Sequence, residues 1–434
     1  MFCVGDDDQS IYRFRGAEVG NMRDFERDFR VENVIRLEQN YRSHGNILDA
    51  ANALIANNSR RLGKNLWTDR GAGEPIRVYE AFTDSDEARW IVEEIQSLVR
   101  DGASRADIAL LYRSNAQSRV LEHQLFSSGI AYRVYGGLRF FERQEVKHAL
   151  AYLRLIANSD DDTAFTRVVN FPTRGIGARS LEALQDAART WNTPLYQTVP
   201  HLSGKPGSSL AQFVVLIERL RSETRDLPLH EMVEHVIEVS GLRAHYKAEK
   251  EGQERLENLD ELVNAAANFS AEVGAGQAPG ESSSAADSVL AEFLAHASLE
   301  AGDHQADAGA EAVQLMTVHA AKGLEFDVVF LTGLEEGLFP HENSAQEADG
   351  LEEERRLMYV AVTRARQRLY LSFTQSRMLH GQVRYNLRSR FLEEIPEGLT
   401  KWLTPPNPRR SFAPEPSARY YNPGAAKPAM SAMP

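Results

Sequence analysis

Four short segments of this 434-residue sequence concentrate side chains able to act on phosphates, sugars or bases. The first is Gly5-Asp-Asp-Asp-Gln-Ser-Ile-Tyr-Arg-Phe-Arg-Gly-Ala17. A carboxamide placed just after a strand end, as Gln9 would be, can orient a water or touch a phosphate oxygen. Tyr12 and Phe14 alternate with Arg13 and Arg15, a pattern that suits stacking on single-stranded bases beside a phosphate backbone. A turn with two core aromatics fits the same residues equally well. The second segment is Leu37-Glu-Gln-Asn-Tyr-Arg-Ser43. Arg42 offers a planar fork of donors matched to phosphate, and Tyr41 a ring that could stack on a base. Alternatively the segment is a helix entry with Ser43 as N-cap.

The third segment, Val313-Gln-Leu-Met-Thr-Val-His-Ala-Ala-Lys-Gly-Leu-Glu-Phe326, reads as a strand, a polar turn and a second strand. Thr317, His319, Lys322 and Glu325 converge there. Polar groups at the C-terminal edge of an α/β sheet are where ligands bind, although a single histidine in such a turn is as readily a packing or capping residue. The fourth is Glu352-Glu-Glu-Arg-Arg-Leu-Met-Tyr-Val-Ala-Val-Thr-Arg-Ala-Arg366. Acids first and bases last complement a helix dipole. Leu357, Ala361 and Arg364 share one face, so Arg364 ends a buried stripe, where an arginine can be held against a transferring phosphoryl group.

The elements that must position these groups alternate. Strands are expected at Phe2–Val4, Val34–Leu37, Ile76–Ala81, Ile108–Tyr112, Val313–Val318, Val328–Thr332 and Arg368–Phe373. Helices are expected at His44–Asn57, Asp84–Arg100 and Glu352–Thr363. Such alternation is the mark of a layered α/β domain. Between Glu142 and Ala267 the periodicity turns helical, with Val146, Leu150, Leu153 and Ile156 on one face. Ala271–Ala286 is low in complexity and reads as a loop within this helical insert. The tail from Lys401 holds 8 of the 17 prolines and is expected to be disordered.

Composition adds exclusions. The single cysteine, Cys3, rules out a disulfide framework and a cysteine-rich zinc site. Apolar runs are strand-sized, and no cationic leader is evident, so a soluble cytoplasmic protein is expected. The net charge of −13 disfavours nucleic acid only on average. Residues 241–312 hold four Lys/Arg against 14 Asp/Glu, whereas the last 34 residues hold five Lys/Arg and one acid. A nucleic-acid path needs local basic surface, not a basic whole.

Taken in this order, the four segments resemble the superfamily 1 DNA helicases of the UvrD/Rep/PcrA type. Tyr135-Gly-Gly-Leu-Arg-Phe-Phe-Glu-Arg-Gln-Glu-Val-Lys147 and Thr173-Arg-Gly-Ile-Gly177 place the chain nearer the UvrD branch than Rep, and the likeness extends to about Pro396. It implies an α/β fold in which a second RecA-like parallel-sheet domain (2A, residues 37–135 and 313–398) is interrupted by a mostly helical domain (2B, 136–312). A remnant of the first RecA-like domain (1A) would occupy 1–36 and a disordered tail 399–434. It further implies ATP and Mg2+ as cofactors, single-stranded DNA and single–double-strand junctions as partners, possible contact with DNA-repair proteins, no membrane, and a nucleoid-associated place in DNA repair and replication with 3′→5′ polarity.

Residue by residue, the resemblance gives Gln9, Arg42 and Arg364 catalytic roles toward the γ-phosphate, Arg364 as arginine finger. Tyr41 would stack on adenine, and Lys322 and Glu325 would join the nucleotide cleft. Tyr12, Phe14, Arg15, Thr317 and His319 would line the single-strand path. Arg174, Gly175, Ile176 and Gly177 would present main-chain N–H groups to duplex phosphates. Phe14 stands where Trp is frequent, and His148 where Asp is frequent. No stretch matches Gly-x-x-x-x-Gly-Lys-[Ser/Thr] and no metal-holding Asp-Glu pair is found, so no metal ligand is assigned. The expectation is an N-terminally shortened motor, inactive alone for want of the second wall of its ATP cleft. The alternative is a non-catalytic DNA- or partner-binding module. A helicase–nuclease is disfavoured, since no acid-and-lysine cluster follows Arg364.

Overall fold

The computed structural model describes residues 3–12, 20–31, 33–59, 61–250, 252–276, 285–301, 311–345, 347, 349–379 and 382–404. Phe14 and Arg15 lie outside them. The strands are β1 (Ile76–Ala81), β2 (Ile108–Tyr112), β3 (Tyr132–Val134), β4 (Val313–Thr317), β5 (Phe326–Leu331), β6 (Ala365–Thr374), β7 (Ser376–Leu379), β8 (Gln382–Tyr385) and β9 (Thr400–Trp402). Among the helices are α1 (Gly45–Ile55), α2 (Asp84–Arg100), α3 (Ser118–Ser127), α4 (Gln144–Ala157), α5 (Ala178–Trp191), α6 (Gly252–Gly276), α7 (Ala285–Glu300) and α8 (Gly350–Val362).

Seven strands form one parallel sheet in the order β3-β4-β2-β5-β6-β1-β9. The interior strand β2 reads Ile-Ala-Leu-Leu-Tyr and is buried throughout, as a strand covered on both faces must be. Side-chain alternation divides the sheet between two cores. Ala109, Leu111, Val329, Leu331, Leu369 and Leu371 pack under α1 and α8. Ile108, Leu110, Tyr112, Val328, Phe330 and Tyr370 pack under α2 and α3. α2 starts at a capping box in which Thr83 and Asp86 satisfy each other's main-chain N–H groups.

The chain leaves the sheet after edge strand β3 and returns in its neighbour β4. The helical segments between them have a core of their own, built on Val146, Tyr152, Leu153, Phe165, Phe213, Ile237 and Phe293. Of the face expected on α4, Val146, Leu153 and Ile156 are buried and Leu150 packs partly against them.

A charged cluster stitches the β7–β8 hairpin to the end of the sheet. Arg377 on β7 donates to Glu335 at 2.7 and 2.9 Å and to Glu87 of α2 at 2.7 Å. Glu335 also accepts from the Thr374 main chain and from Asn386. Burial raises the Glu87 carboxyl, against the opposing pull of Arg377.

Four expectations need correction. Of the strand expected at Phe2–Val4, the described residues Cys3 and Val4 belong to no strand and are exposed. Val34–Leu37 forms no strand and is exposed, because no described strand lies beside it to accept its hydrogen bonds. The low-complexity segment is helical as far as Gly276 and again from Ala285, its alanines favouring helix over loop, and residues 277–284 lie outside the described set. The proline-rich tail begins later than residue 399: Thr400–Trp402 forms the sheet's edge strand against β1, with Trp402 in ring contact with Phe373. Residues 405–434 are not described. No described helix is long and apolar enough to cross a membrane.

A candidate nucleotide cleft and a glycine turn

The second segment acquires its shape from Asn40, whose side-chain oxygen accepts the N–H groups of Arg42 (2.8 Å) and Ser43 (2.9 Å). This Asx turn presents Tyr41 outward, 77% exposed, its hydroxyl donating to Gln39. Ser43 is not the N-cap; that position is His44. The Ser43 hydroxyl instead donates to the Ala365 carbonyl at 2.6 Å, tying the turn to the first residue of β6.

That tie brings Arg42 to Glu325. The Arg42 Nε donates to one Glu325 oxygen, and Arg366 donates to the other at 2.7 and 3.2 Å. Hydrogen bonding from Arg366, joined by Arg42, holds the Glu325 carboxyl below the usual carboxylate range. Arg364 lies beside them, 1% exposed, donating to the carbonyls of Val360 (3.0 Å) and Leu324 (2.9 Å) and to the Thr363 hydroxyl. No carboxylate among the described residues pairs with it. Burial, reinforced by the Arg42 charge, brings its pKa down to about 10, so it stays charged at neutral pH. Its position at the end of α8 also places the charge where the helix dipole is negative.

Arg42, Glu325 and Arg364 border one open cleft of about 450 Å3, together with Asp6, Gln9, Tyr41, Lys64 and Tyr359, while Arg366 stands behind Glu325 outside the lining. It lies at the N-terminal ends of β5 and β6, not at the C-terminal edge expected from the third segment. The eight residues after β4 carry the chain from one end of the sheet to the other. Thr317 and His319 thus stay at the end of β4 while Glu325 reaches the cleft. Lys322 falls between the two ends and outside the cleft lining. Its ammonium donates to the Gln9 carbonyl at 2.8 Å and sits 5.0 Å from the Tyr12 ring centre. Tyr12 donates to the His319 carbonyl at 3.3 Å. The Thr317 hydroxyl accepts the Ala320 N–H.

The Asp6–Asp8 run is fully engaged with the chain itself. Asp6 pairs with Lys64 and accepts from the Gln9 side chain, Asp7 accepts the Leu62 N–H, and Asp8 receives a two-point bond from Arg61 at 2.9 and 2.7 Å. These carboxylates therefore do not fit as Mg2+ ligands, and the described cleft offers no other carboxylate pair.

The glycine turn differs in detail from expectation. The Arg174 guanidinium points inward, donating to the carbonyls of Val168, Pro172 and Ser240 and lying over Tyr152 and Phe213. The main-chain N–H groups of Arg174 and Ile176 are taken by the Asn170 side chain at 2.9 and 3.1 Å, and Ile176 is buried. The exposed pair is Gly175, with φ of +73°, and Gly177, which caps α5. Nothing lies within 4 Å of where a Cβ would sit on either, so the surface above them is open.

Sequence reasoning missed Arg366, Asn40 and Asn170. Arg366 carries its signal only in its place two residues beyond Arg364. The asparagines act through turn geometry and left no periodic signal.

A parallel sheet with an arginine-lined cleft at its strand ends, interrupted by a helical insert, makes this a layered α/β protein with a candidate phosphate-binding cleft. The family of the UvrD-like helicase C-terminal domain matches residues 35–376, and that of the UvrD/REP helicase N-terminal domain matches residues 1–30. The chain belongs to the UvrD-like DNA helicase family. It is 53% identical to DNA helicase II of Escherichia coli over 92% of its length, 49% identical to DNA helicase II of Haemophilus influenzae over 91%, and 43% identical to the ATP-dependent DNA helicase PcrA of Bacillus subtilis over 93%. It spans only 54–55% of the length of each of these relatives.

Proposed function

We propose that this chain supplies one wall of the ATP site, and part of the DNA path, of an ATP-dependent 3′→5′ DNA helicase acting on single-stranded DNA and junctions in repair and replication. The observation that carries this reading is the convergence of Gln9, Tyr41, Arg42, Glu325 and Arg364 on one cleft. Tyr41 provides an exposed ring for the base. Glu325 is poised for a ribose hydroxyl. Arg42 and Arg364 provide positive charge for a γ-phosphate, and Arg364 is the stronger candidate for transition-state charge because no carboxylate among the described residues is in contact with it. Gln9 is reached from the DNA side through Lys322 and Tyr12, so nucleotide and single strand would be coupled through a few contacts. Gly175 and Gly177 offer N–H groups to duplex phosphate.

Phosphoryl transfer also requires a phosphate cradle and charge neutralisation by metal, and the described cleft provides neither. The chain alone is therefore expected not to hydrolyse ATP. The test compares DNA-stimulated ATP hydrolysis by the 434-residue chain with that of a version joined upstream to a phosphate-binding loop. Turnover only in the joined version supports the reading. Turnover by the chain alone that survives Arg364→Ala would overturn it. A binding module without catalysis would instead hold DNA with an affinity indifferent to nucleotide in both versions.

A further inference from the structure

Away from the cleft, where α3 of the sheet domain meets α7 of the helical insert, three potential metal ligands face one another. His123 lies on α3; His296 and Glu300 lie on α7 at a four-residue spacing, which puts both on one helix face. The His123 Nδ1 is 2.5 Å and the His296 Nε2 3.2 Å from the same Glu300 oxygen. One ligand atom from each of the three falls within 4.8 Å of the other two.

The surroundings fit a cation. Glu300 is 7% exposed, and its only described ion-pair partners are the two imidazoles. A carboxylate buried so deeply needs a compensating positive charge. Arg119 lines the same space, but its charge is already met by Glu261. A cavity of about 30 Å3 opens beside the cluster, bordered also by Asn268 and Glu272. That is room for one ion or one water.

We propose that His123, His296 and Glu300 form a divalent transition-metal site, best suited to Zn2+, that clamps the helical insert to the sheet domain. Two imidazole nitrogens and one carboxylate oxygen are a ligand set zinc accepts, with a water or Glu272 in the fourth position. Tetrahedral zinc at about 2.0–2.1 Å from each ligand sets neighbouring donors roughly 3.3 Å apart. The observed pairs need to open by less than 1 Å or hardly at all. Binding would bond α3 to α7 directly through the metal.

The experiment uses the whole 434-residue chain, stripped with chelator and titrated with Zn2+ by calorimetry and with Co2+ by visible absorption. One ion per chain is expected, with a tetrahedral Co2+ spectrum and a rise in thermal midpoint on Zn2+ addition. His123→Ala, His296→Ala and Glu300→Gln should each weaken binding by at least about tenfold, as loss of a ligand does, while His235→Ala, outside the cluster, leaves it unchanged. X-ray absorption on the Zn2+-loaded wild-type chain provides a reading independent of variant folding, and should show two imidazoles on the metal. Absence of stoichiometric binding, binding indifferent to His123→Ala and His296→Ala, or fewer than two imidazoles on the metal would each overturn the proposal and leave a water-filled hydrogen-bond cluster.

Discussion

Replacing Arg364 by Ala separates structure from chemistry at the cleft. In the folded chain the guanidinium donates to two carbonyls, Val360 and Leu324, and to a hydroxyl that has acceptors of its own at Tyr359 and Val360. Two hydrogen bonds from a charged donor contribute about 1.5–3 kcal/mol each. Against this stands the burial of the charge: lowering the pKa from 12.5 to about 10 corresponds to about 3 kcal/mol. The two effects largely cancel, so Arg364→Ala should destabilise the chain by no more than about 3 kcal/mol. An arginine that neutralises transition-state charge is worth about 10^3–10^5 in kcat. Urea unfolding of the 434-residue chain gives the first quantity. Steady-state ATP hydrolysis at saturating single-stranded DNA, in a version joined to a phosphate-binding loop, gives the second. A loss in kcat of less than about tenfold, with stability down by several kcal/mol, would refute the argument and make Arg364 a structural cap on α8.

Other consequences are as sharp. His148 is buried against Phe171 and the Tyr246 hydroxyl, and burial lowers its pKa to about 4. The unfolded chain binds that proton more readily, so the contribution is complete above about pH 6.5 and lost as pH falls toward 4. It amounts to up to about 3 kcal/mol, and His148→Asn should flatten that part of a thermal-melting pH profile. Arg377→Met strands the Glu87 and Glu335 carboxylates and should cost about 3–5 kcal/mol, whereas Glu87→Gln, which relieves their mutual repulsion, should cost well under half of that in the same denaturation assay. Asn170→Ala removes the acceptor that holds the Arg174 and Ile176 N–H groups and so loosens the turn that presents Gly175 and Gly177. It should lower stability by about 1–3 kcal/mol and weaken duplex binding about tenfold with single-strand binding unchanged; equal loss on both substrates would place the turn away from duplex DNA.

The sequence disclosed what periodicity and composition encode. Ile76–Ala81, Asp84–Arg100 and Ile108–Tyr112 stand where hydrophobic pattern put them, because burial on two faces or one leaves an unambiguous repeat. Arg364 was legible as an arginine at the end of a buried stripe. The short edge strands β3 and β9 were not legible, since three residues are too few for a pattern and their pairing is decided by neighbours distant in the chain. Val34–Leu37 failed for the converse reason: an apolar run is only potentially a strand until something pairs with it. The inward turn of Arg174 was equally hidden, because a guanidinium beside two glycines looks the same in sequence whether it faces DNA or three carbonyls. The division of the third segment between opposite ends of the sheet follows from parallel topology, which one sequence does not reveal.

The adjacency of β3 and β4 makes the insert an enlarged crossover. Parallel neighbours cannot be joined by a hairpin and require a connection of roughly a dozen residues or more. The chain between β3 and β4 fills that role with a separately cored body. Were it an unstructured loop, growth from a dozen residues to its present length would add only about 2–3 kcal/mol of closure entropy, because the cost rises logarithmically. Closure entropy therefore sets little limit on the length of this crossover; what fixes the insert against the sheet domain is side-chain contact, such as Arg119 with Glu261 and Arg143 with Ser118.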